Sequence, residues 1–91
     1  MELTFRKEGS KHIAEFAATA DFNLHLERED GGLLYVSQRT SESGQYDSIK
    51  GGDFAPQDKV VDCDFVGAVY PKYIKIVSEV EPTLAVVTFA Q

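Results

Sequence analysis

The chain has 91 residues, 43% of them hydrophobic, with a formal charge of −6 and an isoelectric point near 4.7. Its nine basic residues are scattered, and only Arg6-Lys7 forms an adjacent basic pair, so neither nucleic acid nor an anionic membrane surface is expected as a partner. This length predicts one domain spanning residues 1–91. A domain of this size buries roughly two thirds of the surface that its unfolded chain exposes. This leaves only a small margin of folding stability, which favours further burial against a partner protein.

Cys63 is the single cysteine, so an internal disulfide is excluded and folding in a reducing cytoplasm is expected. A signal peptide begins with a basic segment followed by an apolar one. The segment from Met1 to Lys7 is strand-like instead, so no signal peptide is expected. No apolar run approaches the ~20 residues that a membrane-spanning helix requires.

Alternation of apolar and polar residues is the dominant pattern, clearest from Phe22 to Glu27, and side chains that alternate between two faces predict half-buried strands. A helix over Lys11 to Ala20 competes with the second strand because that segment is rich in alanine. Gly51-Gly52 is expected to open a loop that runs through Pro56 to Asp58. Eight strands are predicted, in chain order: Leu3–Lys7, His12–Ala18, Asp21–Arg28, Leu33–Thr40, Gln45–Ile49 at a sheet edge, Val60–Val66, Tyr73–Ser78 and Leu84–Ala90.

Short strands separated by turn signals every 8 to 12 residues are typical of an all-β fold. The prediction is a single-domain antiparallel β-sandwich, jelly-roll-like or immunoglobulin-like, with a small barrel as the alternative. Strand phase also predicts the core. The side chains expected between the sheets are Phe22, Leu24, Leu26, Val61, Cys63, Phe65, Ile74 and Ile76.

Asp62-Cys63-Asp64 has the spacing of a DxD motif, which can hold a divalent cation. Residues two apart in a strand necessarily share a face, so the preferred interpretation is two exposed aspartates flanking a buried, inert thiol. A hard cation needs six or more oxygen ligands, and no further carboxylate has an assigned place. Asp62 and Asp64 are therefore the candidate metal ligands of this sequence, but we do not expect them to bind a metal ion.

The two histidines, His12 and His25, lie far apart in the sequence, and with Cys63 they make an incomplete zinc set. His25 occupies the polar phase of its strand and is expected to be exposed. No phosphate-binding glycine loop or nucleophile elbow is present. The sequence thus predicts neither a catalytic set nor a cofactor.

Tyr35, Tyr46 and Tyr73 are candidates for an interaction surface, because tyrosine offers an amphipathic ring for contact with a partner. Packing of these rings at the sheet margins is an equally good interpretation.

Three segments together resemble the small β-sandwich virion proteins of tailed phages, meaning decoration or fibre-associated subunits. These segments are Phe16–Leu26, Leu34–Thr40 and Tyr70–Ser78. The resemblance implies a non-enzymatic subunit assembled in the cytoplasm, with a capsid component, a fibre component or further copies of itself as partners, and the virion as final location. It assigns no functional residue.

Three functions follow as hypotheses. The first is a structural or interaction protein that associates through an edge strand or an outer sheet face, as a homo-oligomer or with another protein. The second is a carbohydrate- or peptide-binding module that uses Tyr35, Tyr46 or Tyr73. The third is a metal-dependent enzyme at Asp62 and Asp64.

Overall fold

A computed structural model describes residues 1–67 and 69–90 of the chain, with the backbone alone at residues 50 and 51. All regular structure in these residues is β. The eight strands are β1 Arg6–Glu8, β2 Lys11–Ala18, β3 Phe22–Glu27, β4 Leu34–Arg39, β5 Asp47–Phe54, β6 Val60–Phe65, β7 Lys72–Ser78 and β8 Leu84–Phe89. Each corresponds to one predicted strand.

The strands form two antiparallel sheets, and the predicted β-sandwich is confirmed. One sheet has five strands in the order β1-β2-β7-β4-β5, and the other has three in the order β6-β3-β8. Neighbours in each sheet are mostly distant in sequence, since β7 lies between β2 and β4 and β3 lies between β6 and β8.

The core lies between the sheets and follows strand phase. Leu24 and Leu26 of β3 and Ile76 of β7 have no exposed surface. The other predicted core residues belong to the same cluster, with Cys63 only partly buried at its margin. Cys63 faces the core, as predicted, but it is less buried than expected. Its strand, β6, is an edge strand of the smaller sheet, so in the described part of the chain one flank of the thiol has no neighbouring strand.

Strand β2 carries apolar residues on both faces, which is why its phase is ambiguous in the sequence. Phe16 packs on the core side, edge-to-face against Phe22 with ring centroids 5.3 Å apart. Ile13 is buried on the opposite face, in register with Val77. Pairing with β1 on one side and β7 on the other fixes the segment as a strand, although alanine-rich sequence favours a helix in isolation.

Two predicted boundaries need correction. The first strand begins at Arg6, because the preceding residues pair instead with β8: the Leu3 N–H donates to the Ala85 carbonyl at 2.9 Å. The fifth strand does lie at a sheet edge, but it continues through the predicted loop start to Phe54.

An irregularity in β5 accommodates the two glycines. Tyr35 of β4 pairs with Asp53 and Ser37 pairs with Ser48, so residues 49–52 all lie opposite Val36 as a bulge. A Cβ on Gly52 would lie 2.7 Å from the Val36 carbonyl oxygen. The position therefore requires glycine, because the backbone approaches too closely for a side chain.

Candidate functional site

The tertiary structure gathers all three candidate tyrosines on the outer face of the five-stranded sheet. Tyr73 pairs with Arg39, and Tyr35 lies four residues before Arg39 on the same side of the sheet, paired with Val77. Tyr46, just before β5, contacts the Arg39 and Lys75 side chains of that face. We call this surface the tyrosine face; it consists of Tyr35, Tyr46, Tyr73, Lys11, Arg39 and Lys75.

Cations lie over the tyrosine rings. The Arg39 guanidinium is 4.4 Å from the ring centroid of Tyr46 and 5.7 Å from that of Tyr73. The Lys75 ammonium is 5.3 Å from the Tyr46 ring, and that of Lys11 is 5.9 Å from the Tyr35 ring. Such contacts attract the basic side chains to the rings through the ring quadrupole and favour this packed arrangement of the face.

Arg39 is the central residue of this arrangement. Its Nη1 donates to the Gly44 carbonyl at 3.0 Å, while its Nε is buried without a hydrogen-bond partner. Stacking between Tyr46 and Tyr73 offsets part of the cost of that unpaired donor. The guanidinium is thereby fixed between two rings.

Acidic residues border the tyrosine face near β1 and β2. Arg6 forms ion pairs with Glu8 and, at 3.3 Å, with Glu15. Burial raises the pKa of Tyr46, and the Glu15 carboxylate adds to that effect. Its hydroxyl therefore stays protonated at neutral pH and is available to donate a hydrogen bond.

The outer face of the three-stranded sheet is acidic. We define the acidic face as Asn23, His25, Glu27, Asp62 and Asp64, which alternation and register place on one side of β3 and β6. Asp62 and Asp64 are both exposed and share this face, as predicted. The Asn23 amide donates to Asp62 Oδ1 at 2.6 Å and to Asp64 Oδ1 at 2.9 Å.

The DxD pair thus bonds to a neutral amide. Within residues 1–67 and 69–90, no three or more histidine, cysteine or acidic side chains form a group with the geometry to hold a metal ion. An amide that donates to both carboxylates offsets their mutual repulsion, which gives the pair a structural role in joining β3 to β6.

His25 lies on the polar outer face of β3, as predicted, and its side chain is 32% exposed rather than fully exposed. Its Nε2 lies 2.7 Å from Glu27 Oε2 and its Nδ1 lies 3.1 Å from Asp62 Oδ2. The hydrogen bonds to Glu27 and then to Asp62 raise the pKa of His25. Hydrogen bonds from Asn23 and His25 lower the pKa of Asp62. The imidazole ring therefore lies between a carboxylate of its own strand and one of β6, and both contacts favour its protonated form.

Arg28 is a residue that the predictions missed. It is 3% exposed and bonds only to main-chain carbonyl oxygens: Nε to Asp58 at 2.9 Å and Nη1 to Gly32 at 2.9 Å, with a longer bond to Ala55. It thus ties the β3–β4 connection to the β5–β6 connection. Strand phase was an available signal, because Arg28 continues the inward series of Leu24 and Leu26.

No protein-family profile, curated protein or solved structure matches the chain. The described part of the chain also contains no helical segment with the length and hydropathy of a membrane span.

Proposed function

We propose that this protein is a non-enzymatic interaction protein that binds a partner protein through the tyrosine face. The observation that carries the proposal is that the fold collects Tyr35, Tyr46 and Tyr73 on one face and sets Lys11, Arg39 and Lys75 among them. A virion decoration or fibre-associated subunit would be one protein of this kind.

The composition of this face supports a protein partner. Tyrosine and arginine are enriched at the centres of protein interfaces, and tyrosine buries a large area at low entropic cost because it has only two side-chain torsions. The tyrosines are half-buried and Arg39 is held by two rings, so little side-chain ordering remains to oppose binding. The mixed charges around the rings favour a polar protein surface over a purely apolar one.

A carbohydrate partner is less well supported, because a sugar stacks on an open ring face. The Tyr46 ring already carries two cations, Arg39 at 4.4 Å and Lys75 at 5.3 Å. A sugar would have to displace at least one of them from the ring. Protein contacts, in contrast, can include the cations themselves.

Site-specific photo-crosslinking tests the proposal. Tyr46 is replaced by a photoreactive phenylalanine analogue in the producing cells, and Thr88, exposed on the outer face of the other sheet, is the matched control position. We expect a protein adduct at position 46 and none at position 88. An adduct of twice the 10.1 kDa subunit mass would identify a second copy as the partner, and any other mass a different protein.

Two outcomes would overturn the proposal. Absence of any adduct at position 46 shows that no protein covers the face. Equal adducts at both positions show non-specific contact. Specific saturable binding in a glycan screen, lost in the Tyr46→Ala variant, would favour the carbohydrate hypothesis instead.

A further inference from the structure

A different part of the molecule, the free edge of β6, points to a second binding mode. Of the four sheet edges, three are protected. Strand β1 has only three residues, and β5 carries the four-residue bulge opposite Val36. The outer side of β8 is covered by the chain start, since the Val87 N–H donates to the Met1 carbonyl at 2.8 Å and Glu2 bridges Val86.

Strand β6 has none of these protections. It pairs with β3 over six residues without a register shift, and no described residue pairs with its other side. A regular edge of this kind presents unpaired N–H and C=O groups that can accept another strand. The exposed side chains along its outer face are Val60, Asp62 and Asp64, and the next residue beyond the strand, Val66, is 81% exposed.

The aspartates determine which strand can dock. If a second copy paired antiparallel through its own β6, centred on Cys63, Asp62 would lie opposite the Asp64 of that copy. Like charges directly opposite each other destabilise a strand pair, so the edge disfavours self-pairing. A strand with lysine or arginine at alternate positions would instead meet Asp62 and Asp64 with opposite charge.

An inter-sheet cavity beside the end of β6 supplies an anchor point. It measures about 80 Å³, and its lining combines the apolar side chains of Phe65, Ile49 and Ile74 with the polar side chains of Gln38, Tyr70 and Lys72. It opens where the β6 edge of one sheet lies over the β4 and β5 side of the other. An aliphatic side chain opposite Phe65 on the inward face of a docked strand would lie at this cavity. The inward side chain two residues away, opposite Cys63, would cover the exposed flank of the thiol.

We propose that β6 is a docking edge for an extended segment of another protein, with lysine or arginine at the outward positions opposite Asp62 and Asp64 and a branched aliphatic residue at the inward position opposite Phe65. The main chain of the segment extends the three-stranded sheet, its cations pair with Asp62 and Asp64, and the aliphatic side chain enters the cavity beside Phe65. This surface is separate from the tyrosine face, so the protein would hold two partner segments at once.

The test uses a capped synthetic peptide of alternating lysine and valine residues with one central leucine, and a matched peptide with glutamate in place of lysine. We expect the lysine peptide to bind saturably and to protect alternate β6 amides from hydrogen exchange. Replacing the central leucine by alanine should weaken binding, at about fourfold for each methylene that fills the cavity. Methylation of the peptide N–H groups that face β6 should abolish binding.

Charge variants of the protein make the result decisive. The double variant Asp62→Asn with Asp64→Asn should weaken binding of the lysine peptide at least tenfold. Asp53 is exposed on the other sheet, so the control variant Asp53→Asn should leave binding unchanged. Asp62→Lys with Asp64→Lys should reverse the preference toward the glutamate peptide. No binding at millimolar peptide, or equal binding of the N-methylated peptide, overturns the proposal.

Discussion

The Arg28 guanidinium donates from Nε to the Asp58 main-chain carbonyl across 2.9 Å, and so joins the end of β3 to the loop that leads into β6. Gly31 lies beside Pro56 of that same loop, so closely that a Cβ would collide with the Pro56 carbonyl oxygen. Two loops at one end of the sandwich are therefore held together by a buried cation and a close backbone contact.

Arg28→Met should destabilise the protein by about 3 kcal/mol, because buried carbonyl oxygens lose charge-assisted donors. The free energy of unfolding of Arg28→Lys should lie between those of Arg28→Met and the parent, because lysine keeps the charge but lacks the planar set of N–H donors. Urea unfolding measures the loss, with exposed Lys59→Met as the control. A loss below about 0.5 kcal/mol for Arg28→Met would show that the carbonyls find other donors.

The core assignment predicts that Leu24→Ala and Ile76→Ala each cost about 2–5 kcal/mol. Both side chains have no exposed surface and lie between the sheets. Val60→Thr is the matched control, because Val60 is 61% exposed and threonine keeps the β-branched shape. Equal midpoints for the control and the core variants in chemical denaturation would contradict the assigned faces.

His25 should make stability depend on pH. Its pKa is raised by the hydrogen bonds to Glu27 and Asp62, so its stabilising contribution is complete below the unfolded pKa of about 6.5 and disappears as pH rises through the higher folded value. The pKa of Asp62 is lowered by Asn23 and His25, so its contribution disappears as pH falls through that folded value. Both contributions are complete between the unfolded pKa values of the two residue types, about 3.9 for aspartate and about 6.5 for histidine, so the interaction is strongest in that range.

Thermal unfolding of the parent and the His25→Gln variant across this pH range measures the effect. The melting temperatures should differ most in mildly acidic buffer and converge at alkaline pH. His12→Gln, which leaves the His25 contacts intact, should follow the parent. Parallel profiles for parent and His25→Gln would show that the His25 contacts contribute nothing to folding.

Cys63 should react slowly with thiol reagents in the native protein. Burial raises the pKa of the Cys63 thiol, and the Asp64 and Asp62 carboxylates raise it further, so less of the reactive thiolate forms. Asp62→Asn with Asp64→Asn should speed native labelling at mildly alkaline pH, because two negative charges are removed. Labelling of the unfolded chain sets the upper rate, and Asp53→Asn is the control. A native rate equal to the unfolded rate would show that β6 opens readily.

Much of the fold could be predicted from alternation, because the period of two along a strand is a local property of the chain. It identified all eight strands, the inward series Phe22, Leu24 and Leu26, and the shared face of Asp62 and Asp64. The same rule places Arg28 inward, where the structure has it. Alternation together with regularly spaced turn signals predicted the all-β class, and the single cysteine excluded an internal disulfide.

Only the tertiary structure decided which strands are neighbours. Pairing joins residues far apart in sequence, and a strand's pattern does not specify its partner or register. For this reason it could not be predicted that Asn23 bonds to both Asp62 and Asp64 or that His25 lies between Asp62 and Glu27. It also could not be predicted that Tyr46 and Tyr73 both contact Arg39. The position of β6 at a sheet edge could not be predicted for the same reason. Whether a strand lies at an edge depends on the spatial order of all the strands in its sheet.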